Sequence, residues 1–170
     1  MNKIFITGPP RVGKTTIIVK LIEELKKNKR VKIGGFYCPE VRVGEKRIGF
    51  KIVDISSGKD VWLAKEEEGF PKVGKYHILI DEVKNIIDEI FVSIQNSELI
   101  IIDEIGPMEL KINELKNIID FSINSSKPLI AVLHRSLVEK FRKYKVIYVT
   151  YENRKNITST LLHELENIIK

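Results

Sequence analysis

The sequence predicts an α/β fold: a largely parallel sheet flanked by helices, with an antiparallel ribbon inserted in its first half. Three observations carry that expectation. Short apolar runs alternate with longer segments whose apolar residues fall at helical spacing. A group of strand-like runs separated by turn residues breaks the alternation once. A glycine-rich stretch, "GPPRVGKTT" at residues 8–16, sits at the first strand-to-helix junction.

The elements follow in order. Lys3–Thr7 reads as a buried strand, and Ile17, Ile18, Leu21, Ile22 and Leu25 mark the helix after the glycine-rich stretch. Lys26, Lys27, Lys29 and Arg30 end that helix, where cations suit its dipole. Val31–Tyr37 is a second strand. Val41–Val43, Arg47–Ile55 and Val61–Ala64 form the ribbon, an insertion at about residues 38–64, and residues 66–71 form an exposed loop. Val83, Ile86, Ile87, Ile90, Phe91 and Ile94 define a helix, and Leu99–Ile102 a strand buried on both faces. Gly106-Pro107 turns the chain, and Met108-Glu109-Leu110 opens a helix continued by Leu115, Ile118, Ile119 and Ile123. Leu129–Leu133 is another buried strand and Ser136–Lys143 a short helix. Val146–Val149 is the last strand, and Ile157, Leu161, Leu165 and Ile168 mark the closing helix. No repeat, linker or second domain is visible, so residues 1–170 read as one domain.

Composition narrows the class. The chain is 43% apolar and 31% charged, which is globular, and no apolar run approaches the roughly 18 residues of a membrane span. Cys38 is the single cysteine, and the first residues open directly into strand and loop; both fit a cytoplasmic protein. Abundant Ile, Lys and Glu match a thermophile's composition, and equally an AT-rich genome. The net charge of +6 permits a nucleic-acid partner, but the lysines are dispersed and no aromatic residues interleave with them.

Gly8, Gly13, Lys14 and Thr15 fit G-x-x-x-x-G-K-[ST], the P-loop pattern, and strand and helix lie where it needs them. Its glycines let the loop amides turn inward onto phosphate oxygens, and the helix behind adds its positive end. The whole loop, Gly8, Pro9, Pro10, Arg11, Val12, Gly13, Lys14, Thr15 and Thr16, is therefore assigned to nucleotide binding. Lys14 reaches the β- and γ-phosphates, and the Thr15 hydroxyl ligates magnesium.

Leu99-Ile-Ile-Ile-Asp103-Glu104 supplies the second half: an apolar strand ending in an aspartate that holds magnesium through a water. Glu104 is placed to polarise a water aimed at the γ-phosphate, with a strand cap as its plain alternative. Such a glutamate suits NTPases with an extra strand between the P-loop strand and the aspartate strand. Leu129–Leu133 can fill that slot. His134-Arg135 then faces the γ-phosphate as a sensing or charge-stabilising pair, or is an ordinary loop. Gly106 belongs to the same turn. Glu109 either favours a helix start or works near the metal or an acceptor.

Taken together, these residues resemble the thermophile and cancer-related nucleoside-triphosphatase family, small P-loop proteins sometimes labelled predicted nucleotide kinases. The resemblance runs nearly end to end, through "GPPRVGKTT", "GGFYCPEVR" to "RIGF" at 34–50, "VGKY" at 73–76, "IIDEIGPMEL" at 101–110 and "VTYENR" at 149–154. It implies a RecA-like P-loop NTPase sheet with added antiparallel strands. It also implies slow, Mg2+-dependent and base-tolerant hydrolysis of ATP, GTP, CTP and UTP to the diphosphate and phosphate. Arg11 stands where glycine is common, and Cys38-Pro39 replaces a more usual threonine-acid pair. The family gives the ribbon a meaning: Glu40, Arg42 and Arg47 lie on an insertion able to fold over the phosphates. Arg42 is the candidate to neutralise transition-state charge, with cross-strand ion pairing on a solvated hairpin as the alternative. Asn153 and Arg154 border the base, with a helix N-cap as the alternative for Asn153.

The expectation is therefore a soluble, magnesium-dependent nucleoside-triphosphatase with Glu104, Lys14 and Arg42 in catalytic roles. The alternatives are a nucleotide or small-molecule kinase on the same P-loop, and a nucleic-acid-regulated ATPase.

Overall fold

A computed structural model describes residues 2–28 and 31–169. Lys29 and Arg30, assigned above to the end of the first helix, lie outside the described residues. One sheet organises the chain. Its parallel half contains β1 (Lys3–Thr7), β2 (Ile33–Tyr37), β8 (Leu99–Ile105), β9 (Leu129–Leu133) and β10 (Lys145–Tyr148) in the order β10-β1-β9-β8-β2. β9 pairs with β1 on one side and β8 on the other, so Leu129–Leu133 fills the predicted slot.

Alternation along the strands explains the two layers. Ile4 and Ile6 of β1, Leu99 and Ile101 of β8, and Ile130 and Val132 of β9 pack in one cluster. That cluster includes the apolar stripes of α1 (Lys14–Asn28) and α4 (Arg154–Ile168). Phe5, Ile100, Ile102, Leu129, Ala131 and Leu133 face the other way, against α2 (Ile80–Gln95) and α3 (Asn113–Asn124). These central strands are apolar on both faces because helices cover both faces. Among the described residues no helix is long and apolar enough to cross a membrane.

The antiparallel half is larger than the sequence predicts. It comprises β3 (Glu40–Val43), β4 (Lys46–Asp54), β5 (Asp60–Glu66), β6 (Lys72–Val73) and β7 (Tyr76–Ile78). β4 continues the sheet beside β2, followed outward by β5, β7 and β6, while β3 folds back on β4 as a hairpin. The insertion thus runs to Ile78 rather than ending near residue 64, and the predicted loop at 66–71 is shorter. β6 and β7 escape a periodicity search because segments of two and three residues have no period.

Other boundaries move slightly. β2 begins at Ile33 rather than Val31, and β8 runs on to Ile105. Met108–Leu110 does not open α3: Glu109–Lys111 is a separate 3-10 turn, ended by the extended Ile112. Ser136–Lys143 is likewise a 3-10 segment, Arg135–Phe141.

Candidate active site at the carboxyl edge of the sheet

β1 ends in Thr7, and the loop that follows curls back so that α1 starts at Lys14. Gly13 takes φ 104°, a left-handed backbone that suits glycine. Arg11 adopts φ 63° without being glycine, which costs about 1–2 kcal/mol. The first helical hydrogen bond, Ile17 N–H to Gly13 O, spans 3.0 Å. The amides of Lys14, Thr15 and Thr16 therefore have no acceptor within the helix and are available to an anion. Lys14 Nζ is folded back, donating to Gly8 O at 2.6 Å and Pro9 O at 2.9 Å. Burial lowers its pKa, opposed by the charges of Glu104 and Asp103.

Those carboxylates end β8. Asp103 is 3% exposed and its Oδ2 has no hydrogen-bond partner among the described residues. Burial, then the neighbouring Glu104, pushes its pKa up to about 7, against the Thr15 hydroxyl and Lys14. A buried, unpartnered carboxylate oxygen beside a hydroxyl is a hard-oxygen donor set that fits Mg2+, which keeps several of its waters. Glu104 is also raised by burial, while His134 and Lys14 pull it down. The His134 ring accepts the Ser136 amide on Nδ1 at 3.2 Å, so in the neutral ring Nε2 carries the proton.

Glu109 is 3% exposed. Burial and Glu104 hold its carboxyl well above the ordinary range, with the Cys38 thiol beside it pulling the other way. Gly106 supplies room rather than contact. A Cβ there would lie 2.8 Å from Glu104 Oε1 and 3.2 Å from Glu109 Oε1.

One cavity of about 560 Å³ joins these parts. Of the loop it touches Gly8, Pro10, Arg11, Gly13, Lys14, Thr15 and Thr16, and beyond the loop Asp103, Glu104, Glu109, His134 and Arg135. Pro9, Val12, Gly106, Asn153 and Arg154 do not line it. Val12 is fully buried beneath the loop. Asn153 makes no N-cap bond; its Oδ1 accepts the Thr150 amide at 2.7 Å and its Nδ2 donates to Tyr148 O at 2.9 Å. Arg154 Nη1 donates to Val12 O at 3.4 Å.

The ribbon closes the opposite wall with Glu40, Arg42, Arg47, Phe50 and Val73. Arg42 and Arg47 are register partners across the β3–β4 hairpin, and Glu40 bridges them at 3.2 and 3.5 Å. Arg47 is further anchored on the Tyr76 hydroxyl at 2.8 Å and over the Phe50 ring. Among the described residues Arg42 bonds Glu40 and the Glu45 carbonyl, the latter at 2.8 Å, so it is the less constrained of the two.

Sequence reasoning gave Cys38, Pro107, Met108, Phe50 and Val73 no part in the site, though all five line the cavity. The parallel register Tyr37↔Asp103 holds the missing signal for Cys38. The residue after a strand that neighbours the aspartate strand lands beside Glu104.

A P-loop opening onto an α/β sheet, an aspartate strand separated from the P-loop strand by β9 and a glutamate after the aspartate define a P-loop NTPase. The chain belongs to the NTPase family, whose model matches residues 3–162. It is 48% identical to the nucleoside-triphosphatase THEP1 of Saccharolobus solfataricus over 162 residues, covering 95% of this chain and 91% of that one. Identity to the Methanocaldococcus jannaschii protein of the same name is 41%, covering 96% of each. The crystal structure of THEP1 from Aquifex aeolicus superposes with TM-score 0.83 at 30% identity, over 96% of this chain and 99% of that one. The solution structure of a human cancer-related nucleoside triphosphatase gives 0.81 at 29% identity, with both chains fully covered.

Proposed function

We propose that the chain hydrolyses nucleoside triphosphates to the diphosphate and phosphate, with Mg2+ and little preference among bases. The observation that carries this reading is the meeting of Lys14, Thr15, the unpartnered Asp103 Oδ2 and Glu104 in one cavity. Lys14 leaves the Gly8 and Pro9 carbonyls for the phosphates, which the first-turn amides of α1 also hold. Thr15 and Asp103 hold the magnesium, which when bound neutralises charge on the β- and γ-phosphate oxygens. Glu104 accepts a proton from water as the water oxygen bonds to Pγ and the bond to the bridging oxygen breaks. Arg42 leaves Glu40 to meet the charge spreading over the γ-phosphate oxygens.

A second reading rests on the apolar part of the cavity wall, to which Phe50, Val73, Pro107 and Met108 contribute. Such a wall suits an organic acceptor better than water, and Glu104 would then deprotonate an acceptor hydroxyl.

The test is phosphate release from ATP, GTP, CTP and UTP, with Mg2+ or excess EDTA, and with RNA or DNA added. We expect comparable kcat/KM for all four, abolished by EDTA and indifferent to nucleic acid. Selectivity of roughly a hundredfold or more for one base would overturn the tolerance. Turnover in EDTA would overturn the metal assignment.

A further inference from the structure

We propose that Glu109 is a positioning residue for Glu104: its buried carboxyl is the wall against which the Glu104 side chain is held. The proposal rests on the reading of Glu104 as the general base, given above. It adds a residue that acts through Glu104 rather than on the phosphates. Glu109 is an expensive residue to bury at 3% exposure. Among the described residues no lysine, arginine or histidine forms an ion pair with it. A buried carboxyl without a cation carries a desolvation cost that an apolar side chain would not. The core beside it has no need of a polar group, since Ile105, Ile112 and Leu115 are buried in one apolar cluster. The polar side of Glu109 is the cavity, whose wall it forms together with Glu104 and Cys38.

Gly106 shows how near the two carboxyls lie. A Cβ on it would stand 2.8 Å from Glu104 Oε1 and 3.2 Å from Glu109 Oε1, so both side chains fold over the same bare glycine. The charge of Glu104 stands second only to burial among the causes that raise Glu109, which agrees with that closeness. The backbone fixes Glu109 in this place. Leu110 N–H donates to Gly106 O at 3.0 Å, Lys111 N–H to Met108 O at 3.2 Å and Ile112 N–H to Glu109 O at 3.2 Å. The 3-10 turn is thus tied to the chain that leaves β8, and Glu109 keeps its place relative to Glu104. Cys38 also borders Glu109, brought in beside β8 by the register of β2.

A general base works only within hydrogen-bond reach of the water it deprotonates. The strand end fixes the Glu104 backbone, and the torsions of its side chain decide where the carboxylate points. Gly106 leaves that side chain room, and Glu109 limits how the room is used. With the Glu109 side chain cut back, Glu104 can turn into the vacated space and away from the water. A misplacement of about 1 Å can cost up to a hundredfold in rate. The phosphate contacts assigned to Lys14, Thr15 and the α1 amides do not pass through Glu109, so nucleotide affinity is expected to survive.

The experiment is a double-mutant cycle on the full chain: wild type, Glu109→Ala, Glu104→Gln and the double variant, with Glu109→Gln beside them. Single-turnover phosphate release from labelled ATP with Mg2+ gives the rate, which keeps slow variants measurable, and calorimetry with Mg2+ and ADP gives the affinity. Glu109→Ala should lower the rate by about ten- to a hundredfold with the ADP affinity nearly unchanged. Glu109→Gln, which keeps the shape and a polar end, should recover most of that loss. In the Glu104→Gln background Glu109→Ala should cost little more, because a residue that acts through another has nothing left to position. A near-wild-type rate for Glu109→Ala overturns the proposal, and so does an equal loss in both backgrounds. A parallel fall in rate, affinity and melting temperature would make Glu109 a structural residue only and also overturns it. Failure of Glu109→Gln to recover the rate would show that a negative charge is required there, against a positioning role. Glu104→Gln on its own tests the underlying reading: if that variant alone releases phosphate like wild type, the general base itself is wrongly assigned, and if it is slow while Glu109→Ala is not, only the role of Glu109 falls.

Discussion

Replacing Glu104 by Gln separates cutting the phosphate chain from merely holding it. Gln has the same size, so the clearance to Gly106 is kept, and only the basic carboxylate is lost. Burial holds Glu104 above the ordinary carboxylate range, and His134 and Lys14 keep it from rising further. That balance puts its basicity closer to neutrality, where a general base is effective. Such bases contribute about 10²–10⁴ in rate, which is about 2.7–5.4 kcal/mol of barrier at 1.36 kcal/mol per decade. Nucleotide affinity should not fall, because Lys14, Thr15 and the helix amides make the phosphate contacts. It should tighten modestly, since the mutation removes a negative charge from a cavity that receives a polyanion. Phosphate release at saturating ATP gives kcat, and calorimetry with Mg2+ and ADP gives the affinity. A kcat within threefold of wild type would refute the general-base assignment and favour the acceptor reading. A parallel fall in kcat and affinity would place Glu104 in the metal site instead. Asp103→Asn, run beside it, should lose both.

Two further expectations use the same buried carboxyls. Gly106→Ala puts a methyl group 2.8 Å from Glu104 Oε1 and should lower kcat by about tenfold or more with little change in nucleotide affinity, because misplacement by about 1 Å can cost up to a hundredfold. An unchanged kcat in the folded variant would show that the Glu104 position seen here is not the working one. Without metal, the pKa of Asp103 is raised from 3.8 to about 7, so the folded state keeps a proton that the unfolded chain releases. Its contribution to stability is full below pH ~4 and is lost as pH rises towards 7. The melting temperature of the metal-free protein should fall across that window, and millimolar Mg2+ should recover it mainly above pH 7, where Asp103 is charged. Equal recovery by Mg2+ at pH 5 and pH 8 would count against Asp103 as its ligand.

Much of this site is legible in the sequence because its parts are local. The P-loop is a contiguous motif, β9 is wholly apolar, and β8 is apolar up to Asp103. The slot filled by β9 follows from the length and apolarity of Leu129–Leu133 together with the position of Glu104. Less was legible where a role depends on distant chain segments. Cys38 reaches Glu109 only because β2 lies beside β8. β6 and β7 are two- and three-residue strands tied into the edge by bonds such as Ile78 N–H to Pro71 O at 2.8 Å. Asn153 carries every sequence mark of an N-cap, yet its amide is spent on the turn before the helix. That outcome depends on where Tyr148 and Thr150 sit, which propensity does not encode.

The arrangement of charge makes the metal-free site an unfinished one. Asp103, Glu104 and Glu109 lie close together; burial raises all three, and the charge of Glu104 raises Asp103 and Glu109 further. Lys14, their near cation, is spent on two loop carbonyls, and the ribbon arginines are shared through Glu40. A bare triphosphate would add negative charge to this cluster, whereas a magnesium complex brings the cation that Asp103 lacks along with the anion that Lys14 and Arg42 can turn to. The same electrostatics that penalise the empty cavity thus favour the complete substrate over either of its parts. Metal and nucleotide should therefore bind with positive coupling, each raising the other's affinity by the same factor. Glu109 stands apart from that exchange. Burial and the charge of Glu104 hold its carboxyl well above the usual carboxylate range, which disfavours a third negative charge beside Asp103 and Glu104.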